Sequence, residues 1–277
     1  METGKVARHY DTILPFYNVY FGSSYGFHIG FWEPETNSKK EAMLNVNKFL
    51  ARKAGVKDGD YILDAGCGVG GSCIWLVKNY NVKTVGVTIS KVQLREAKKL
   101  AKKLRLSTKI KYYRMDYLKT NFKASQFDIV WAIESVCHAT NKSDFLREAK
   151  RILKKNGRLI IADFLLARNP ITHVDKSILA NFNEGFLLDN LASEMSFRQD
   201  LKKTGFKNIK YWDNADVVSI KTTWIYTFLK LAYSLIAIAE KFKILPESLV
   251  GTLKSTFAFH DGFQVGLLGH GVFYAEK

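Results

Sequence analysis

The stretch Leu63-Asp-Ala-Gly-Cys-Gly-Val-Gly-Gly71 decides the fold. It overlaps an apolar run, Tyr61-Ile-Leu-Asp64, that predicts a short buried strand, and it leads into Ser72 to Asn79, which predicts a helix. Glycines between a strand and a helix let the backbone turn tightly and let a ligand come closer than a Cβ would permit. Such glycines also serve plain tight turns, so the residues around them carry the discrimination. A dinucleotide site seats a pyrophosphate on the helix and places an Asp or Glu about 20 residues further on for the ribose. Here the next strand ends Val85-Gly-Val-Thr88-Ile-Ser90, and no acid follows until Glu96. The acid stands before the glycines instead, as Asp64 at the carboxyl end of the first strand.

Outward from the turn the chain alternates. Strands are predicted at Thr84–Val87, Ile110–Arg114, Phe127–Ala132 and Arg158–Asp163, with helices at 91–105 and Lys142–Leu153 between them and a turn at Lys155-Asn-Gly157. Strands alternating with helices make a parallel sheet covered on both faces. After Pro170 the rhythm breaks for about twenty-five residues. A helix at 195–204 and strands near Phe206–Trp212 and Val272–Ala275 complete seven predicted strands. Between the last two lie about fifty residues, Asp213 to Gly262, without a strand signal but rich in aromatics, Trp224 and Phe228 among them.

The 277 residues carry 42 Lys+Arg against 26 Asp+Glu, a net charge of +16, with 47% apolar content. That excludes disorder, collagen and coiled coil, and allows one elaborated domain or two small ones. A basic chain admits nucleic acid, an anionic membrane or an acidic small molecule as partner. Much of the excess, however, falls on Lys91, Arg95, Lys98, Lys99, Lys102, Lys103 and Arg105, interleaved with apolar residues at helical spacing, which reads as one solvated helix face. Cys67, Cys73 and Cys137 cannot all pair among themselves and form no zinc spacing, so a reducing, cytoplasmic setting is expected. The N-terminal residues lack the uninterrupted apolar core of a secretory signal. Thr222 to Ala239 has about a spanning length but carries Lys230 near its middle, which favours a buried or amphipathic helix over a membrane span.

A carboxylate at Asp64 suits a ligand with a cationic amino group, and S-adenosylmethionine is such a ligand, with an ammonium, a carboxylate and a sulfonium. The string Asp64-Ala-Gly-Cys-Gly-Val-Gly-Gly71 resembles the first motif of class I S-adenosylmethionine-dependent methyltransferases. Gly86-Val-Thr-Ile-Ser-Lys-Val-Gln93 is similar to the second-strand motif shared by tocopherol methyltransferases, plant alkaloid N-methyltransferases and cyclopropane fatty acid synthases. Phe127-Asp-Ile-Val-Trp-Ala-Ile-Glu-Ser-Val-Cys-His138 resembles the fourth-strand motif of the same branch, closest to sterol C-methyltransferases in its portion from Glu134. The resemblance implies a Rossmann-like α/β fold of seven mostly parallel strands, helices on both faces, an N-terminal helical lid and a helical insertion before the last strand. It also implies cofactor contacts at Asp64, Gly66, Cys67, Gly68, Thr88, Ile89, Gln93, Asp116, Tyr117 and Ile133, with S-adenosylhomocysteine as product. Asp116, in Tyr113-Arg-Met-Asp-Tyr117, matches the position that relatives use for the adenine amino group.

Base-modifying methyltransferases resemble one another in an Asn/Asp-Pro-Pro-aromatic turn or a Pro-Cys nucleophile. No proline lies between Pro34 and Pro170, so no nucleic-acid partner is expected. Methyl transfer is an in-line displacement at a sulfonium, so the protein positions the acceptor, excludes water and handles one proton, with no metal implied. Glu134 and His138, just after the fourth strand, are the acid-base candidates, although Glu134 equally suits a turn cap or a cofactor contact and His138 a structural histidine. N- or O-methylation needs a base matched to the acceptor, whereas alkene methylation passes through a carbocation that a carboxylate deprotonates and aromatic faces stabilise. Tyr10-Asp-x5-Tyr17-x4-Gly22-x5-His28-Ile-Gly-Phe-Trp32 resembles the lid of tocopherol and sterol methyltransferases. Tyr25 joins the catalytic candidates, and Tyr17, Tyr20, His28, Trp32, Trp224 and Phe228 are expected around the substrate.

The expected layout is a lid over 1–50, a cofactor-binding core over 51–212, a substrate-covering insertion over 213–265 and the last core strand over 266–277. The expected activity is C-methylation of an apolar isoprenoid or sterol-like lipid. The alternatives are N- or O-methylation of a small amine or aromatic metabolite, and a cofactor-binding enzyme of this fold with another reaction, such as cyclisation. A basic surface beside an apolar stretch is also compatible with peripheral contact with an anionic membrane.

Overall fold

A computed structural model describes residues 3–21, 26, 28–219, 242 and 247–277. Seven strands form one sheet, β1 (Tyr61–Ala65), β2 (Lys83–Thr88), β3 (Ile110–Arg114), β4 (Phe127–Ile133), β5 (Leu153–Leu166), β6 (Lys207–Asp213) and β7 (Leu268–Glu276), in the order β3-β2-β1-β4-β5-β7-β6. All pairings are parallel except the two that β7 makes, antiparallel to β5 and to β6. The order reverses between β1 and β4, which opens a crevice at the carboxyl ends of those strands.

Alternation along the strands sends side chains into two cores. Ile62, Ile129 and Trp131 pack on one face, and Leu63, Val130 and Ala132 on the other. Helices cover the faces, and several of them begin or end on a residue suited to the place. Helix α1 (Thr3–Phe21) precedes α2 (Lys39–Ala54), which starts under the Ser38 hydroxyl and stops at Gly55 in the left-handed region. Helix α3 (Gly71–Asn79) grows straight out of the glycine turn, and α4 (Lys91–Lys103) is capped by Ser90, whose Oγ accepts from the Gln93 amide at 2.9 Å. The seven basic residues of 91–105 are all exposed, as their spacing predicts.

Two features depart from the sequence reading. The expected turn at 155–157 is an irregularity inside β5: the pairing with β4 jumps from Leu153 opposite Phe127 to Arg158 opposite Ile129, with Asn156 at φ +61°. The long break after Pro170 contains a helix, α6 (His173–Gly185), announced by Thr172 and Asp175 in a capping box. After α5 (Lys142–Ile152) and α7 (Glu194–Lys203), the insertion following β6 holds α8 (Ala215–Ser219) and α9 (Glu247–Gln264). Helices α6 and α9 cross closely, since a Cβ on Gly185 would stand 1.6 Å from Ser255 Oγ. The apolar stretch 222–239 lies outside the described residues. Among the described residues no helix is long and apolar enough to cross a membrane.

Candidate active site

Asp64 ends β1 inside the protein, with 3% of its surface exposed. Burial pushes its carboxyl up to about 7, opposed by a hydrogen bond from the Cys73 thiol at 3.5 Å. That carboxylate has acceptor capacity which one weak thiol donor leaves unused. Gly66, Gly68 and Gly70 take φ of +90°, +52° and +88°. A Cβ at Gly66 would come within 2.4 Å of Ser135 Cβ, and one at Gly70 within 2.1 Å of the Tyr112 hydroxyl. The glycines therefore serve close packing against the elements on either side, and Gly66 and Gly68 line the cleft above β1 as well. Ser135 ties the turn down by donating Oγ to the Ala65 carbonyl at 2.6 Å, and the Tyr117 hydroxyl donates to the Ser135 carbonyl at 2.7 Å.

From β2 the cleft receives Thr88 and Ile89, and from the first turn of α4 it receives Gln93. Thr88 Oγ1 donates to Gln93 Oε1 at 2.8 Å and accepts from the Ser90 amide at 3.2 Å, so neither side chain is free to swing. Cys67, Tyr117 and Ile133 complete this wall together with Gly71 and Ser72. Asp116 is not among the residues lining the cleft, and its Oδ1 accepts from the Leu118 amide at 2.8 Å.

The opposite wall comes from α1, the segment after it and the turn after β4. Tyr10 on α1 lines the cleft and bonds His138 Nε2 at 2.9 Å. His138 Nδ1 lies 3.4 Å from the Leu187 carbonyl, which fixes the proton on Nδ1 and leaves Nε2 to accept from Tyr10. Burial pushes the His138 imidazole down to about 4. The neighbouring Asp11 accepts from the Ser90 hydroxyl and, at 3.4 Å, from the Val92 amide, so α1 is fastened to the turn after β4 by one residue and to the start of α4 by the next.

Glu134 sits at φ +46°, a left-handed position that costs a non-glycine residue strain, and its amide donates to the Ala162 carbonyl at 2.8 Å. Both carboxyl oxygens lie 3.1 Å from the Ile29 amide. Burial pushes this carboxyl up to about 7, opposed by nearby His28 and the Ile29 bond. His28 lines the cleft, donates Nδ1–H to the Ile29 carbonyl at 3.0 Å, and is lowered by burial. The turn itself is held by Lys142, whose Nζ donates to the carbonyls of Cys137 and Ala139 at 2.8 and 2.6 Å, and by Asp163, which accepts from the Cys137 amide at 2.8 Å.

Of the residues expected around the substrate, His28 is in the cleft, whereas Trp32 is not among its lining residues and donates its amide to the Val217 carbonyl at 2.7 Å. Tyr25, Trp224 and Phe228, and the side chains of Tyr17 and Tyr20, lie outside the described residues. Two residues of consequence carry no local motif that flags them. Asp11 stands inside the lid string yet is legible only through its contact with Ser90, and His270 arrives on β7, with Nε2 3.3 Å from Glu134 Oε1.

The two walls face each other across a cleft that opens to solvent. A glycine cradle beneath it and a buried carboxylate with spare acceptors fit the amino-acid end of S-adenosylmethionine. Fold and site together define a class I S-adenosylmethionine-dependent methyltransferase. Comparison with known proteins narrows this. Residues 1–225 match the family described as mycolic acid cyclopropane synthetase, and the chain belongs to that family. It is 31% identical to an O-methyltransferase of Aspergillus sclerotiorum over 69% of this chain and 72% of the relative. It is 27% identical to a sterol 24-C-methyltransferase of Saccharomyces cerevisiae over 95% of this chain and 73% of the relative. The cyclopropane synthase MmaA2 of Mycobacterium tuberculosis shares the fold with a TM-score of 0.85, at 20% identity, over 100% of this chain and 99% of that one.

Proposed function

We propose that this methyltransferase C-methylates an apolar isoprenoid or sterol-like lipid, with Glu134 removing the proton that the reaction releases. One observation carries the reading: Glu134 lines the cleft with both carboxyl oxygens on the Ile29 amide, whereas the Nε2 of His138, four residues on, is already engaged by the Tyr10 hydroxyl, and burial raises the carboxyl to about 7 while lowering the imidazole to about 4. When bound, S-adenosylmethionine supplies an electrophilic methyl group. Asp64 would hold its ammonium, Gly66 and Gly68 would let its amino-acid portion lie against the backbone, and Thr88, Ile89 and Gln93 would border its ribose. An alkene acceptor that takes the methyl becomes a carbocation, and its adjacent C–H is so acidic that a carboxylate with a pKa of about 7 removes the proton without help. The C–H electron pair then closes a new double bond, and the proton rests on Glu134. The lid helix, fastened through Tyr10 and Asp11, keeps water from capturing the cation. The sterol 24-C-methyltransferase likeness over 95% of this chain supports the same reading.

The likeness to an O-methyltransferase favours a second reading, in which a hydroxyl approaches the same carboxylate. Mass spectrometry after incubation with S-adenosylmethionine and a panel of prenyl lipids, sterols, phenols and amines separates the two. A methyl group on carbon supports the first reading, and one on oxygen or nitrogen overturns it in favour of the second. The remaining expectations of site and setting are part of the proposal: Asp116 reaches the adenine from the cleft rim, Tyr25 and the aromatics Tyr17, Tyr20, Trp32, Trp224 and Phe228 surround the acceptor, and residues 213–265 roof it. The protein works in the cytoplasm and meets an anionic membrane through its basic surface. Sedimentation with anionic vesicles at low salt checks that contact, which a protein left in the supernatant would refute.

A further inference from the structure

His270 is the feature of the site that the proposed chemistry has not used. It lies on β7, paired across the sheet with Phe164 of β5, and no part of it is exposed. The imidazole is wedged between the ring edges of Phe31 and Phe164, with centroids 5.6 and 5.4 Å away. Nε2 stands 3.3 Å from Glu134 Oε1 but off the line of a hydrogen bond, and among the described residues Nδ1 has no partner. An aromatic hydrocarbon would fill such a slot with no polar cost, whereas a buried imidazole lacking partners is costly. Glu134 has the complementary deficit, because among the described residues both of its oxygens share a single hydrogen-bond donor, the Ile29 N–H.

The tautomer follows from the same geometry. An unpaired N–H costs more in a buried site than an unpaired lone pair, so the hydrogen belongs on Nε2, facing the carboxylate, and the lone pair belongs on Nδ1. Burial keeps the ring neutral, down to about 4, so its influence on Glu134 is that of a fixed N–H dipole through the neutral range. The charged and titratable groups that bear on the pair among the described residues are His28 from the segment after α1, Cys137 from the turn after β4, Asp163 on β5 and Asp213 on β6.

We infer that His270 is a positioning residue for Glu134, presenting Nε2–H to Oε1 so that the carboxylate faces the cleft and stays ionised. The inference rests on the reading that Glu134 takes the reaction's proton. A small tightening from the present 3.3 Å, with the ring brought into line, completes the bond when ligands close the cleft. Hydrogen bonding to the charged form favours that form, so removing the donor raises the Glu134 midpoint.

The test is a pH titration from 5 to 9 of the Glu134 carboxyl signal by ¹³C NMR, on protein loaded with S-adenosylhomocysteine and with the signal assigned by its loss in Glu134→Gln. His270→Phe is expected to raise the midpoint by about 0.5–1 unit, and His270→Gln, which restores an N–H donor, to bring it back toward the native value. An unchanged midpoint in His270→Phe overturns the inference. Should that variant fail to fold, the native protein serves: ¹⁵N-histidine signals of His270 should move with the Glu134 titration and stay flat in Glu134→Gln. Signals flat in both, or moving in both, overturn it. The failures remain distinct. Coupling together with a fully active Glu134→Gln enzyme overturns the inference along with the proton role of Glu134, whereas an inactive Glu134→Gln enzyme without coupling overturns the inference alone.

Discussion

The cofactor wall of the cleft is written in a few short strings, Asp64 to Ser72 and Thr88 to Gln93, whereas the acceptor wall joins residues that meet only in three dimensions. Ile29 and Glu134 are 105 positions apart, and His270 comes from the last strand of the sheet. The first wall works through backbone shape and one buried acid. The second works through side chains whose properties are set by neighbours from other elements. Changes in the first wall should therefore weaken binding and folding, and changes in the second should remove chemistry while leaving the cofactor in place.

The largest expected effect breaks that comparison if it fails. Glu134→Gln should lower turnover by about 10²–10⁴-fold while calorimetry finds S-adenosylmethionine binding within about twofold of native, because the group lies on the acceptor wall. Full activity would remove its proton role. Next comes Asp64→Ala, expected to weaken S-adenosylmethionine by about 30-fold or more, the cost of leaving a buried ammonium unpaired. Unchanged affinity would put the cofactor elsewhere.

Gly70→Ala should destabilise the fold by about 1–3 kcal/mol, because it forces a Cβ to 2.1 Å from the Tyr112 hydroxyl at a φ of +88°. Thermal unfolding measures it, and a native melting curve would show that Tyr112 moves aside.

A subtler effect is a proton count. The Asp64 carboxyl, held at about 7 without a cation beside it, should lose its proton as an ammonium arrives. Calorimetry in buffers of different ionisation enthalpy should find proton release per cofactor that is largest near pH 6 and falls away above pH 8, and no such dependence in Asp64→Asn. The linked sign for stability is fixed. The folded protein binds more protons at Asp64 than the unfolded chain between pH about 4 and about 7, so the contribution is present at low pH and is lost as pH rises through about 7. Cofactor-free native protein should therefore lose stability relative to Asp64→Asn between pH 5 and pH 8. The smallest effect sharpens the link between the walls: Asp11→Asn should loosen α1 by about 0.5–2 kcal/mol, read as faster hydrogen exchange over residues 3–21.

The strands and the glycine turn were legible because their signals are local: alternation, glycines at fixed offsets and caps such as Ser90 sit within a few residues of what they control. Asp64, Thr88 and Gln93, which line the cleft, are legible for the same reason. Helix α6 was missed although Thr172 and Asp175 form its capping box, because Pro170 and the polar residues after it read as loop. Sequence proximity alone sets Glu134 and His138 together as acid-base candidates. In three dimensions His138 bonds Tyr10 on the lid, and the groups about Glu134 are Ile29, His28 and His270. A lone histidine in Gly269-His-Gly271 has no signature, since its meaning comes from which strand β7 pairs with.

Strand β7 touches the sheet on both sides, and β6 is joined to the sheet only through it. During synthesis β6 emerges first and has no strand to pair with until β7 has slotted in beside β5. Completion of the sheet therefore waits on a contact between segments far apart in the chain, a topology that folds slowly. The same late event delivers the imidazole behind Glu134. A nascent chain lacking β7 would have its glycine turn and its first five strands, and nothing packed behind the Glu134 carboxyl.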